Sequence, residues 1–139
     1  MGIRRTARER ALQALYQLEM TGAKPSEALE SAWAAAGTER PDPEAEQFAR
    51  SLVEGVWSHL DEIDAVIQTH SHHWRVERMT RIDRNVLRLG IFELKYLLEI
   101  PGKVSINEAV ELGKRFGTEE SSAFINGLLD RIASSLQKT

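Results

Sequence analysis

Three groups of side chains in this sequence could do chemistry. His70, His72 and His73 cluster, with His59 eleven residues upstream. Imidazoles ligate metals, but structural zinc takes four protein ligands and catalytic zinc three. No carboxylate or further His stands at helical ligand spacing to complete such a set. Glu93 falls within the apolar arc of a helical segment. A lone carboxylate without a second titratable group is weak as a general acid, so pairing with a nearby Arg or Lys is the expectation. There is no Gly-rich phosphate loop and no nucleophile elbow. The absence of cysteine excludes disulfides and thiolate chemistry and suits a reducing cytoplasm. These groups predict no metal, no cofactor and no catalytic residues.

The third group is different. Arg4, Arg5, Arg8, Arg10 and Tyr16 lie near one end of the chain, and Lys114, Arg115, Phe116, Phe124, Asn126 and Gly127 near the other. Cations interleaved with aromatics and amides supply what single-stranded RNA requires: phosphate neutralisation, stacking platforms and base-edge hydrogen bonds. Phe116 reads first as core packing. Phe124 and Tyr16 stand evenly between stacking and packing on a helix flank.

The charge pattern fits a defined track better than indiscriminate polyanion binding. The 139 residues carry 18 Lys and Arg against 21 Asp and Glu, a net charge of −3. Residues 1–22 nevertheless hold four Arg against two Glu, and residues 75–88 five Arg against two acids, while residues 23–64 hold ten acids against three bases.

The elements that must position these residues all read as helices. Thr6-Ala7-Arg8-Glu9 spells a capping box that starts a helix running to Gly22, with Ala7, Ala11, Ala14, Leu15 and Leu18 as its buried stripe. This leaves residues 1–5 as a flexible basic arm. A short helix follows from Pro25 to about residue 36. Asp42-Pro43 then caps a helix reaching about residue 70, bent near Gly55 or Asp61. Thr80 starts a helix whose polar side is only a narrow solvated arc of Arg81, Arg84, Arg88 and Lys95, which puts it at a bundle centre. Ser105-Ile106-Asn107-Glu108 is a second capping box, and the last helix begins at Thr118. No apolar run reaches membrane-spanning length, and no apolar segment follows Met1-Gly2-Ile3-Arg4-Arg5 to make a secretory signal. The expectation is an all-α bundle of seven helices.

The C-terminal half also carries a family pattern. Asp83-Arg84-x-x-Leu87-Arg88-Leu89, Ile100-Pro101-x-Lys103-Val104-x-Ile106-Asn107-Glu108-Ala109 and Phe124-Ile125-Asn126-Gly127-Leu128-Leu129-Asp130 resemble the NusB family of bacterial transcription antitermination factors. Arg4-Arg5-x-x-Arg8-Glu9-x-Ala11-Leu12-Gln13-Ala14-Leu15-Tyr16 resembles that family's opening helix, and residues 23–45 match poorly. The resemblance implies one domain over residues 1–139, with seven helices in two packed helical subbundles. It implies binding of the boxA element in ribosomal RNA leader transcripts, jointly with NusE, a small-subunit ribosomal protein, within the RNA polymerase antitermination complex. By position it assigns RNA contact to Arg4, Arg5, Arg8, Arg10, Tyr16, Lys114, Glu120, Phe124, Asn126 and Gly127, and NusE contact to Asp83 and Arg88. Ala123 departs from the pattern, since relatives carry Lys before the aromatic. The resemblance leaves both a monomer and a homodimer open, in a cytoplasmic protein without membrane contact. Two other readings stay open: the RNA-binding part of a ribosomal RNA cytosine methyltransferase, and a helical adaptor that binds only protein. For the first, 139 residues hold no cofactor-binding domain, so catalysis would need a second polypeptide or a longer gene.

Overall fold

The computed structural model describes residues 2–138. Those residues form seven α-helices: α1 (Ile3–Thr21), α2 (Pro25–Ala35), α3 (Pro43–Ser58), α4 (Leu60–His70), α5 (Arg81–Tyr96), α6 (Gly102–Phe116) and α7 (Ser121–Ser135). One 3-10 turn, Val76–Arg78, precedes α5. The helices divide into two compact units, Met1–Ser58 and His59–Thr139.

In the first unit α1 packs against α2 and α3. Its expected stripe is buried throughout, with Ala7, Ala11, Ala14 and Leu15 fully inaccessible. The chain leaves α1 at Gly22, whose φ of 70° is the left-handed conformation that glycine adopts without a Cβ penalty. Asp42 caps α3, its Oδ1 accepting from the N–H groups of Glu44 at 2.9 Å and Ala45 at 3.2 Å. α1 opens at Ile3, so Thr6 is an interior helix residue whose N–H donates to the Gly2 carbonyl at 3.0 Å. Arg4 and Arg5 therefore stand in the first helical turn and not before it; Met1, the remainder of the expected arm, lies outside the described residues.

In the second unit α5 packs against α4, α6 and α7. Every residue from Arg84 to Leu94 is buried, as expected of a central helix. Thr80 caps it, Oγ1 accepting from the Asp83 N–H at 3.1 Å. The helix expected over residues 43–70 is two helices, broken at His59, whose φ of −115° and ψ of 24° interrupt the helical path. α6 begins at Gly102, three residues before the expected capping box, and Ser105 is buried inside it. α7 begins at Ser121, not Thr118. Leu98 is 72% exposed beyond the end of α5.

α6 and α7 approach closely because Gly113 has no side chain. A Cβ there would sit 2.7 Å from Cδ1 of the fully buried Ile125. That contact fixes the rotational phase of α7, and with it which α7 residues face outward.

Candidate RNA-binding surface

Each unit carries part of the expected set. In the first, Arg4 and Arg5 are exposed on the opening turn of α1. The Arg4 guanidinium stands 4.7 Å from the centroid of the Phe48 ring on α3, and that of Arg8 stands 5.3 Å from it. Arg8 is only 4% exposed, so its cation serves packing against α3 more than any phosphate; such contacts strengthen as they lose water. Arg10 is half-buried and donates to Glu9 Oε1 at 3.1 Å. Tyr16 reaches the surface further along α1. Of the four arginines, Arg4 and Arg5 present the accessible charge.

In the second unit Lys114 is exposed near the end of α6, 3.6 Å from Glu111 Oε1. Phe116 is half-buried, with the Arg115 guanidinium 5.4 Å from its ring centroid. Phe124 is also half-buried, whereas Ile125, Leu128, Leu129 and Ile132 of the same helix are sealed in the core. At about 100° per residue, Glu120, Phe124 and Gly127 fall within about 60° of one another. Asn126 is exposed but lies about 160° around the helix from Phe124, so the two side chains do not share a face. Glu120, the residue before α7, accepts from Thr118 Oγ1 at 3.1 Å. Arg131 completes the Phe124 stripe, about 20° from Phe124 in helical phase. The sequence reading missed it; the spacing of seven residues was the available signal.

The two residues assigned to a partner both make internal ties. Arg88 is 5% exposed. Its Nε and Nη2 donate to Asp64 Oδ1 and Oδ2, each at 2.8 Å, and its Nη1 donates to Asn85 Oδ1 at 3.0 Å. Arg84, also buried, donates from Nη1 to the carbonyls of Val76 and Met79 at 3.1 and 3.0 Å. The arc expected to be solvated is thus turned inward at Arg84 and Arg88. Asp83 is half-buried and accepts from Ser121 Oγ at 2.6 Å, which joins the starts of α5 and α7.

The other polar groups of interest are structural. One partner of the buried Glu93 is a hydroxyl, Ser105 Oγ donating to Oε1 at 2.8 Å. That contact removes Ser105 from the capping role expected of it. Glu62 on α4 meets Lys95 and Tyr96 of α5, and hydrogen bonds from both hold its carboxyl below the usual range. Burial, and then the Glu62 carboxylate, push the Tyr96 phenol up to about 12. His70 Nδ1 lies 3.0 Å from the Val66 carbonyl, while His72 and His73 are exposed. Among the described residues no three His, Cys, Asp or Glu side chains are placed to hold a metal ion.

The NusB family model matches residues 5–134. The chain belongs to the NusB family. It is 72% identical to the transcription antitermination protein NusB of Myxococcus xanthus, over 99% of each chain. Its fold is similar to that of T. maritima NusB, with a TM-score of 0.86, 38% identity, and coverage of 94% of this chain and 90% of that one. A NusB chain crystallised with NusE and double-stranded RNA matches with a TM-score of 0.86 and 28% identity, covering 96% of this chain and 97% of that one. The all-α, seven-helix NusB architecture expected from the sequence is the one observed. Among the described residues, no helix of this NusB family member is long and apolar enough to cross a membrane.

Proposed function

We propose that this chain is a transcription antitermination factor that binds boxA-type RNA of ribosomal RNA leaders together with NusE. In this reading the pair acts in the cytoplasm on the elongating RNA polymerase. Family membership supports the general role, as does the solved complex of a NusB relative with NusE and RNA. The observation that carries the RNA assignment is Phe124, a half-buried aromatic on a helix whose other large apolar side chains are sealed inside. A ring so placed serves as a stacking platform. Arg4 and Arg5 supply phosphate contacts from α1, and Tyr16 a second aromatic surface. Arg8 and Arg10 act mainly by holding the first turns of α1 in place.

On the partner side, Asp83 offers the carboxylate oxygen that Ser121 does not use, and Arg88 keeps α5 anchored to α4 beneath that surface. Phe124→Ala should weaken binding to boxA RNA about ten- to a hundredfold, since a stacked base contributes about 1–3 kcal/mol. The melting temperature should change little. A large loss of stability, on the order of the 3–5 kcal/mol of a truncated core phenylalanine, would make Phe124 a packing residue and remove the assignment.

A further inference from the structure

The stripe through Phe124 extends one position beyond the residues that the family resemblance assigns. Arg131 is exposed, and among the described residues it has neither a hydrogen-bond partner nor an ion-pair partner. Helical side chains lean toward the N-terminus and cover the turn before their own Cα. Arg131 therefore reaches back over Gly127. Its Nη1 lies 3.7 Å from the point where a Cβ on Gly127 would stand. Gly127 is only about 4.5 Å along the helix axis from Phe124, at 1.5 Å per residue. The guanidinium thus lies over the turn that follows Phe124, above the one residue of that turn without a side chain.

We propose that Arg131 is a second RNA contact on α7, gripping a phosphate of the nucleotide that stacks on Phe124, with Gly127 as the open shelf between them. The proposal rests on the RNA assignment of Phe124 made above. Four features support it. A guanidinium is planar, permanently charged and able to hold two phosphate oxygens at once. No carboxylate neutralises this one among the described residues. Gly127 presents no side chain, so nothing but Arg131 Nη1 lies within 4 Å of a Cβ position there and a phosphate can approach that guanidinium unobstructed. Glu120, one turn before Phe124 on the same stripe, is an acceptor for base amino and imino groups. The order carboxylate, aromatic ring, bare shelf, guanidinium then fixes how the nucleotide lies: base edge toward the start of α7 and phosphate toward its end.

The test uses the full chain with NusE and a single-stranded boxA RNA, titrated over a range of salt concentrations. Arg131→Ala should lower affinity about three- to tenfold, the effect of one lost charged hydrogen-bonding group. It should also flatten the log–log salt slope by about 0.7, one phosphate contact on a single strand. Arg131→Lys should keep the slope and recover part of the affinity, because a lysine preserves the charge without the planar fork. Gly127→Leu should weaken binding by filling the shelf without lowering the melting temperature, because a Cβ there meets only the end of the Arg131 side chain and the helix loses a glycine. Phe124→Ala is the reference, expected to lose affinity with the slope unaltered. If Phe124→Ala weakens binding and Arg131→Ala changes neither affinity nor slope, the proposal is wrong and the Phe124 assignment stands. If neither variant changes binding, α7 is not an RNA surface and both fall. A loss of affinity in Arg131→Ala that comes with lowered melting and an unchanged slope would make Arg131 structural and overturn the proposal.

Discussion

Replacing Arg88 by Ala separates an internal anchor from a docking residue. Its guanidinium makes two bonds to Asp64 and one to Asn85. The Arg88 side chain is 7% exposed and that of Asp64 28%. Removing one member of a fully buried pair costs about 3–5 kcal/mol, chiefly because the other charge is stranded away from water. Asp64 keeps some access to solvent, which can rehydrate its carboxylate and brings the expected cost to about 2–3 kcal/mol. For a chain of this size that is a fall in melting temperature of roughly 6–12 °C. Calorimetry of Arg88→Ala, Asp64→Asn and the double variant completes a cycle, in which the pair should couple by at least about 1 kcal/mol. An Arg88→Ala protein that melts within about 2 °C of the parent yet no longer binds NusE would refute this reasoning. Arg88 would then be a contact residue after all.

Three further outcomes follow from the same contacts. Arg4→Ala and Arg5→Ala should each flatten the salt slope of RNA binding by about 0.7 with little change in stability; a slope unchanged in both would take the start of α1 out of the RNA surface. Gly113→Ala drives a Cβ to 2.7 Å from Ile125 and should cost about 1–2 kcal/mol net of the gain in helix propensity. Gly127→Ala meets only Arg131 at 3.7 Å and should cost nothing, so equal melting of the two variants would contradict the α6–α7 packing. In a Tyr16→Phe background, absorbance titration should find Tyr96 ionising at about 12, and Glu62→Gln should bring it toward the ordinary phenol value. Because the folded value is raised, this contribution to stability is complete below about pH 10 and is lost as pH rises through 12. A Tyr96 midpoint near 10 would contradict both the burial of the phenol and its contact with Glu62.

The spacing of apolar residues was enough to read most of the helices and most of the core, though not the break at His59. Ala7, Ala11, Ala14, Leu15 and Leu18 on α1, and Ile125, Leu128, Leu129 and Ile132 on α7, are buried as their periodicity requires. Local capping patterns were less reliable where a hydroxyl had a stronger tertiary use. Ser105 satisfies the buried Glu93, and Ser121 Oγ accepts from the Thr118 N–H at 2.9 Å while donating to Asp83. The polar arc of α5 misled for a similar reason. A solvated arginine and one paired with a carboxylate 24 residues away look alike in sequence, and only the fold brings Asp64 to Arg88. The separation of Asn126 from Phe124 is a matter of helical phase, legible from spacing alone but masked by their adjacency in one motif. The buried Arg8 was not legible, since nothing in the first 22 residues points to Phe48 on α3.

The central claim is that RNA recognition is shared with NusE and runs through the stacking surface of α7. The most direct measurement is the affinity of this chain for single-stranded boxA RNA at one fixed salt concentration, with and without NusE, beside a scrambled RNA. A chain of net charge −3, in which Arg4, Arg5 and Arg131 are the exposed arginines assigned to RNA, should bind weakly alone, because too few phosphates are neutralised. With NusE present, affinity for boxA should rise by at least about tenfold, equivalent to 1.4 kcal/mol of coupling, and the scrambled RNA should not follow. Equal affinity with and without NusE, or equal affinity for boxA and scrambled RNA in its presence, would contradict the account.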